Sequence, residues 1–229
     1  MFKNLIKYLV LVSGIGIGVA QSNDATLGAL VEQSHRLLNT EVNAVALIQL
    51  QEPIKVAIRQ HSFTKKTYKT FKAYNNAKVI INYIDSLDTK PSYLSISLAD
   101  KTALLKAINQ NNNTANKALL QTNSKIKLVT TVKMALNANE LKTVLEAEEV
   151  FLQAYGKKSY GLGIYNKGNK IAVIPLVRGI IFNVETSNFC WQELKGKLQI
   201  VNITESKRCP KDTHGSADKT KTKINYYKF

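Results

Sequence analysis

Apolar residues in the first part of the chain recur at the three-and-four spacing of an amphipathic helix. This spacing predicts a helix over residues 26–50. Pro53 separates it from a second helical pattern over 54–87, in which residues 78–84 also fit a strand. The N-terminal third is therefore predicted to be an antiparallel helical pair. The apolar positions of the first helix are Leu27, Leu30, Val31, Leu37, Leu38, Val42 and Val45.

The pattern changes to a period of two after residue 91. Within 93–98, apolar residues alternate with tyrosine and serine, which predicts a half-buried strand. Residues 125–136 form the clearest predicted strand of the chain. Two short helices are expected between these strands, the first of them capped by Asp100. The apolar positions of the two strands are Leu94, Ile96, Leu98, Ile126, Leu128, Val132 and Met134.

A longer helix is predicted over 138–154, with Asn137 at its start and Gly156 as its C-terminal cap. Everything after it is predicted to be β-structure. The stretch "NKGN" is a typical hairpin turn between two of the strands. The strands are expected over 160–165, 170–176 and 179–184.

This order of elements predicts an α+β fold. An N-terminal helical pair would precede a mixed or antiparallel sheet covered by helices and closed by a C-terminal disulfide. The predicted regions are a signal peptide over 1–20, a helical region over 21–90, a sheet domain over 91–205 and a basic tail over 206–229.

The first residues have the pattern of a secretory signal peptide. Lys3 and Lys7 form a cationic start, an uncharged apolar stretch follows, and small residues lead to Ala20. A membrane anchor is the alternative, but glycines interrupt the stretch, and it is shorter than the ~20 residues of a spanning helix. We expect cleavage near Ala20, export to a periplasm or beyond the cell, and no transmembrane segment in the mature chain.

The expected export also predicts the oxidation state of the two cysteines. Exported chains meet an oxidising environment, where Cys190 and Cys209 are expected to pair as a structural disulfide. Their spacing differs from the Cys-x-x-Cys of redox-active pairs. Gly196 between two lysines marks a turn inside the enclosed segment. The bridge is therefore predicted to fasten a C-terminal strand pair or its exit loop.

The charge of the chain narrows the choice of partners. The net charge is +16, and it falls to +14 if two lysines leave with the signal peptide. Such an excess creates a positive field that favours anionic polymers, anionic lipid heads or nucleic acid. Nucleic acid is the less favoured of these, because no nucleic-acid-binding motif is present. The alternative is that the charge serves solubility alone.

The strongest candidate site is the stretch 55–78, which is basic and contains no acid. On a helical wheel, lysines fall on one side and aromatic residues on the other. The aromatic side is either buried or meets a partner protein, and the lysines would bind phosphates or lipid heads. The alternative is an ordinary core helix with a solvated lysine face. The candidate binding residues are Lys55, Arg59, Lys65, Lys66, Lys69 and Lys72.

No pattern of residues indicates catalysis. The three histidines are far apart and lack metal-ligand spacing, and no nucleophile motif is present. The carboxylates of "LEAEEV", residues 145–150, fit a solvated helix face better than a catalytic pair. We therefore predict no catalytic residue, no metal and no cofactor.

The predicted function is that of an exported, non-enzymatic binding or accessory protein of the bacterial cell envelope. The basic helix face would contact an anionic or protein partner. Two alternatives stay open. One is a secreted basic hydrolase or toxin that acts on nucleic acid or wall glycan, and the other is a structural subunit of an envelope assembly.

Overall fold

A computed structural model describes residues 25–36, 39–75, 78–156 and 158–222 of the 229-residue chain. Within them, ten strands join one antiparallel sheet, accompanied by five α-helices, which confirms the α+β class. The predicted signal peptide and residues 223–229 of the predicted tail lie outside the described residues. The strands are β1 (Ala29–Arg36), β2 (Asn39–Leu47), β3 (Ile54–Ser62), β4 (Ser92–Leu98), β5 (Ile126–Ala135), β6 (Glu149–Ala154), β7 (Tyr160–Asn166), β8 (Asn169–Pro175), β9 (Ile180–Leu194) and β10 (Lys197–Thr204). The helices are α1 (Lys65–Tyr74), α2 (Lys101–Asn109), α3 (Thr114–Thr122), α4 (Ala138–Leu145) and α5 (Ala217–Thr222).

The main path of the sheet runs β10-β9-β5-β4-β3-β6-β7-β8. Strand β5 is central, because it pairs with β9 on one side and with both β4 and β1 on the other. Leu128 in its first half lies opposite Leu30 of β1, and Met134 in its second half lies opposite Leu94 of β4. Strand β2 continues the sheet beyond β1.

The residues predicted to form the first helix form a β-hairpin instead. Strands β1 and β2 pair with each other, and β1 also pairs with β5. A β-bulge between Leu30 and Val31 lets two consecutive apolar residues be fully buried, which in the sequence resembles helical spacing. Pairing with the distant β5 decides the structure, because strand formation depends on neighbouring strands more than on local propensity.

The second predicted helix is wrong over most of its length. Residues 54–62 form β3, where the buried Ile54 and Val56 alternate with the exposed Lys55 and Ala57. Only α1 is helical, and residues 78–91 contain bends and turns without a helix or strand. The predicted helical pair is therefore absent from the part of the chain that the structure describes.

The helix predicted over 138–154 is correct at its start and wrong at its end. The Asn137 side chain accepts a hydrogen bond from a backbone N–H in the first turn of α4 at 2.9 Å. The helix ends before β6, where the buried Val150 and Leu152 alternate with half-buried residues. Gly156 does not cap a helix; with φ of 68° it lies in the turn between β6 and β7.

The predictions for the central strands are confirmed. Strand β4 covers 92–98 and β5 covers 126–135. The Asp100 side chain caps α2 by accepting a hydrogen bond from the Ala103 N–H at 2.8 Å. Helix α2 buries Leu104 and Ile108 in the main core of the sheet.

Two hairpins share a Lys-Gly turn. Lys167 and Gly168 connect β7 to β8, and Lys195 and Gly196 connect β9 to β10, all four with positive φ. Two consecutive residues with positive φ match the right-handed twist of the flanking strands, and glycine adopts this conformation without steric cost. Both turns agree with the sequence predictions.

The predicted disulfide is present, and it holds the C-terminal segment on the sheet. Cys190 of β9 is bonded to Cys209, with 5.7 Å between the two Cα atoms. Within the predicted basic tail, His214 exchanges backbone hydrogen bonds with Trp191 at 2.7 and 2.9 Å. Helix α5 then buries Ala217. The described part of the tail is therefore packed against β9.

Two hydrophobic cores lie on opposite faces of the sheet. Tyr93 belongs to the smaller core and the adjacent Leu94 to the larger one, and consecutive side chains of a strand point to opposite faces. Helices α2, α3 and α5 contribute to the larger core, whereas α1 packs on the smaller one. Residues on both sides of the predicted boundary at 90 and 91 share the sheet, because β3 pairs with β4 along its length.

Reducing the disulfide should lower the free energy of unfolding by about 3 kcal/mol, because the bridge closes a loop and so lowers the conformational entropy of the unfolded chain. Urea unfolding with and without reductant measures this difference. The double variant Cys190→Ala/Cys209→Ala is the control, because its stability should not respond to reductant. Equal stability of the oxidised and reduced wild type would contradict the structural role of the bridge.

Candidate binding surface

The candidate surface is built on a cluster of aromatic side chains that we call the aromatic cluster: Phe63, Tyr68, Phe71, Tyr93 and Phe182. Three of its rings, Phe63, Phe71 and Phe182, are almost fully buried. The Phe63 ring lies 5.5 Å from Phe71 and 5.7 Å from Phe182, between centroids. Tilted and edge-on pairs at such distances add stabilisation beyond the area that they bury. The cluster therefore fixes α1 to β9 and β4.

Helix α1 begins with a capping box of two threonines. The Thr64 side chain accepts a hydrogen bond from the Thr67 N–H at 3.2 Å, and the Thr67 side chain accepts one from the Thr64 N–H at 2.8 Å. The first turn contains no acid, although negative charge there would complement the helix dipole. It contains Lys65 and Lys66 instead. These two lysines are placed where positive charge is electrostatically unfavourable.

The outer side of α1 carries four lysines that we call the lysine face: Lys65, Lys66, Lys69 and Lys72. All four are exposed. Among the described residues, none of them forms an ion pair, and the Nζ of Lys72 lies 5.9 Å from the centroid of the Tyr68 ring. The sequence prediction of a lysine side opposite an aromatic side is therefore correct, and the deepest aromatics are buried in the protein itself.

The two other predicted binding residues lie on β3, apart from the lysine face. Lys55 is at the start of β3 and pairs with Glu149 at 2.7 Å. Since β-strands rise ~3.3 Å per residue, Lys55 lies roughly 20 Å from Ser62, where β3 ends before α1 begins. Arg59 is exposed and lies nearer to α1 on the same strand. The structure therefore groups four of the six predicted residues and separates Lys55 from them.

A segment without regular structure, residues 78–90, lies along α1, and we call it the covering segment. The Asn75 side chain donates to the Val79 carbonyl at 2.8 Å, and the Tyr68 hydroxyl donates to the Ile81 carbonyl at 3.2 Å. The Tyr83 ring stacks on Tyr68 with 4.7 Å between centroids. These contacts hold the segment beside the lysine face, because Tyr68 touches both.

The covering segment alternates between buried and exposed side chains. Val79 is 2% exposed, and Ile81 and Tyr83 pack against the smaller core. The intervening residues point away, with Ile80 86% exposed and Ile84 53% exposed. The sequence analysis noted that residues 78–84 also fit a strand, but it did not identify this surface. Aliphatic side chains are therefore presented next to the lysine face.

The covering segment contains a tyrosine–carboxylate hydrogen bond. The Tyr83 hydroxyl donates to the Asp85 carboxylate. This hydrogen bond is the main reason why the pKa of Tyr83 is raised to about 12, with smaller contributions from burial and the charge of Asp85. The hydroxyl therefore keeps its proton far above neutral pH, and the bond persists there. The hydroxyl also binds Asp85, the acid closest in sequence to the exposed Ile80 and Ile84.

The three histidines lie on different parts of the fold. His61 stacks on Tyr93, with ring centroids 5.4 Å apart, and the backbone of His214 pairs with Trp191. His35 belongs to β1. Among the described residues, no group of three histidine, cysteine, aspartate or glutamate residues is placed to hold a metal ion.

The carboxylates of "LEAEEV" are engaged in local contacts. Glu149 pairs with Lys55, and the Glu148 side chain accepts a hydrogen bond from the Lys167 N–H at 2.6 Å. Glu146 lies 3.7 Å from Lys142 on α4. A cavity of about 250 Å³ lies beside Glu148 and Glu149. These carboxylates are therefore engaged in ion pairs and a backbone hydrogen bond.

A groove of about 830 Å³ lies between the end of β2 and the turn that joins β6 to β7. Ile48, Tyr160 and Val177 contribute to its lining, and the Tyr160 hydroxyl donates to the Ile48 carbonyl. Burial raises the pKa of Tyr160. None of the six predicted cationic residues lines this groove, which is therefore separate from the lysine face.

The chain was also compared with known proteins by sequence and by structure. No family model, curated protein or solved structure matches it. In the part of the chain that the structure describes, no helix has the length and apolar character needed to span a bilayer. The physical character of the lysine face and its neighbours is therefore the main guide to function.

Replacing Phe71 by alanine should destabilise the protein by about 3–5 kcal/mol, because the change opens a cavity in the aromatic cluster. Lys69→Ala, on the opposite side of the same helix, should change stability by only about 0.5 kcal/mol or less. Urea unfolding of both variants measures the difference. Similar costs for the two changes would contradict the packing of α1 on the sheet.

Proposed function

We propose that this chain is an exported, non-enzymatic binding protein of the bacterial cell envelope that contacts an anionic partner through the lysine face. Export is supported by the signal-peptide pattern of residues 1–20 and by the Cys190–Cys209 bridge, since disulfides persist in oxidising compartments. The absence of a catalytic motif from the sequence favours binding over catalysis.

The observation that carries the proposal is the unpaired state of the lysine face among the described residues. Among the described residues, five other exposed cations lie next to acids, as Lys55 does next to Glu149 and Arg178 next to Glu140. Other exposed lysines, such as Lys170, form no ion pair there either, so the density of unpaired lysines is what distinguishes α1. On α1, four lysines share one helix of ten residues with no acid between them. Two of them also oppose the helix dipole, so the arrangement does not serve the stability of the helix.

The aromatic cluster adds to the suitability of this surface for binding. The Phe71 side of α1 is packed on the sheet, so the backbone that carries the lysines is fixed before a partner arrives. A fixed surface loses less conformational entropy on binding than a flexible one. Arg59 extends the positive surface along β3, whereas Lys55 contributes less because Glu149 offsets its charge.

A structural subunit of an envelope assembly is the second candidate function. The exposed Ile80 and Ile84 favour it, because apolar side chains on a surface often mark a contact with another molecule. A stable protein interface buries about 800 Å² on each partner. Two isoleucines supply only a small part of such an area, which makes this candidate the weaker one.

Reversing charge on the lysine face should weaken binding to a soluble anionic polymer. Each lysine near an anionic surface contributes about 1 kcal/mol, so a triple reversal should raise the dissociation constant for labelled dextran sulfate at least roughly a hundredfold at low salt. A triple reversal at exposed lysines elsewhere changes the net charge equally and should have a much smaller effect. The two variants are Lys65→Glu/Lys69→Glu/Lys72→Glu and Lys170→Glu/Lys207→Glu/Lys211→Glu.

Both variants should be compared with the exported, disulfide-bonded chain. Equal weakening by the two triple reversals would show that net charge alone drives binding, and the proposal of a specific surface would be wrong. Binding that does not fall as salt rises would also contradict it, since salt screens exposed charges.

A further inference from the structure

We infer that the anionic partner of the lysine face is the surface of a lipid bilayer, into which Ile80 and Ile84 insert. This inference rests on the proposed function, because it assigns a partner class to the same surface. It uses an observation that the proposed function does not need, namely the two exposed isoleucines of the covering segment.

The isoleucines are held in their exposed positions by the contacts of their neighbours. Val79 and Ile81 on either side of Ile80 face the smaller core, and their carbonyls accept hydrogen bonds from Asn75 and Tyr68. The covering segment therefore cannot turn Ile80 inward without losing the burial of Val79. An aliphatic side chain that is 86% exposed and fixed in this way is available to an external apolar phase.

Tyr68 connects the covering segment, which carries the isoleucines, to the lysine face. The Tyr68 ring contacts Tyr83 of the covering segment on one side and lies 5.9 Å from the Lys72 ammonium on the other. Apolar residues adjoining lysines are the composition of surfaces that lie in the interfacial region of a membrane. Apolar side chains enter the acyl boundary while ammonium groups stay among the phosphates.

The acids near this surface do not cancel its charge. The covering segment contains Asp85 and Asp88, and it also contains Lys78 and Lys90. The charges of the covering segment therefore sum to zero, and the lysine face makes the net charge of the combined surface positive. Asp85 is engaged by the Tyr83 hydroxyl. Leu87 is 51% exposed but lies between the two aspartates, so we do not include it in the inserting surface.

A bilayer fits this surface better than the other anionic partners. A soluble polymer offers no apolar phase for the isoleucines, and a protein interface needs more area than they supply. Membrane binding adds weak contributions from apolar burial and from charge, and neither suffices alone. Two isoleucines and four unpaired lysines on a fixed base provide both contributions.

The experiment separates insertion from charge. Vesicles of mixed phosphatidylglycerol and phosphatidylcholine are sedimented with the exported, disulfide-bonded chain, and vesicles of phosphatidylcholine alone are the lipid control. The test variant is Ile80→Asn/Ile84→Asn. The matched control is Ile171→Asn/Val177→Asn, which removes two apolar side chains of similar exposure, 56% and 62%, away from α1.

The wild type and the matched control should sediment with the mixed vesicles and stay in the supernatant when the vesicles contain phosphatidylcholine alone. The test variant should lose roughly a hundredfold in vesicle partitioning, because each isoleucine contributes about tenfold or more on burial. Its dissociation constant for dextran sulfate should equal that of the wild type, because the lysine face is unchanged.

Four results would overturn the inference. The test variant could bind mixed vesicles as well as the wild type, which excludes insertion. The wild type could bind both kinds of vesicle equally, which excludes recognition of anionic lipid. The wild type could also bind dextran sulfate but neither kind of vesicle, in which case the lipid partner is wrong and the proposed function stands. A wild type that binds neither vesicles nor dextran sulfate would contradict both proposals.

Discussion

The packing of Phe63 and Phe71 against Phe182 is the interaction on which the rest of the candidate surface depends. Phe182 belongs to β9, the long strand that pairs with the central β5, so the aromatic cluster ties α1 to the middle of the sheet. Without this anchor, α1 would be a ten-residue helix with lysines in its first turn. Isolated helices of that length are marginal in water. Tertiary packing therefore allows a positive face that the helix could not sustain alone.

The same anchor determines what the covering segment presents. Residues 78–84 have neither a strand partner nor a helical hydrogen-bond pattern among the described residues. They follow α1 because Val79, Ile81 and Tyr83 complete the smaller core beside the aromatic cluster. Since side chains of an extended chain alternate, burying these three residues forces Ile80 outward. The apolar and cationic parts of the surface are thus consequences of one packing arrangement.

Sequence patterns predicted local features well and long-range pairing poorly. The Asp100 cap, the Lys-Gly hairpins and the Cys190–Cys209 bridge follow from short-range chemistry, and each is present. The hairpin of β1 and β2 was mistaken for a helix because its pairing with β5 is not visible locally. The end of α4 was placed too late because apolar residues continue into β6 without interruption.

The candidate surface also has local features that the sequence predicts and long-range features that it does not. The opposed lysine and aromatic sides of α1 are a helical-wheel property and were predictable from residues 65–74 alone. The separation of Lys55 from the lysine face required knowing that β3 is an extended strand, which the alternation of Ile54, Val56 and Ile58 indicates in retrospect. The position of the covering segment could not be predicted, because it depends on contacts with Asn75 and Tyr68 that have no periodic signal.

Amide hydrogen exchange of the native protein tests most directly whether α1 is fixed to the sheet. Slow exchange reports the free energy needed to open a segment. If α1 is fixed to the sheet, the amides in its second half, such as the Asn75 N–H bonded to the Phe71 carbonyl, open with a free energy close to that of β9. Exchange of those amides as fast as in an unstructured chain, while β9 stays protected, would contradict this attachment of α1.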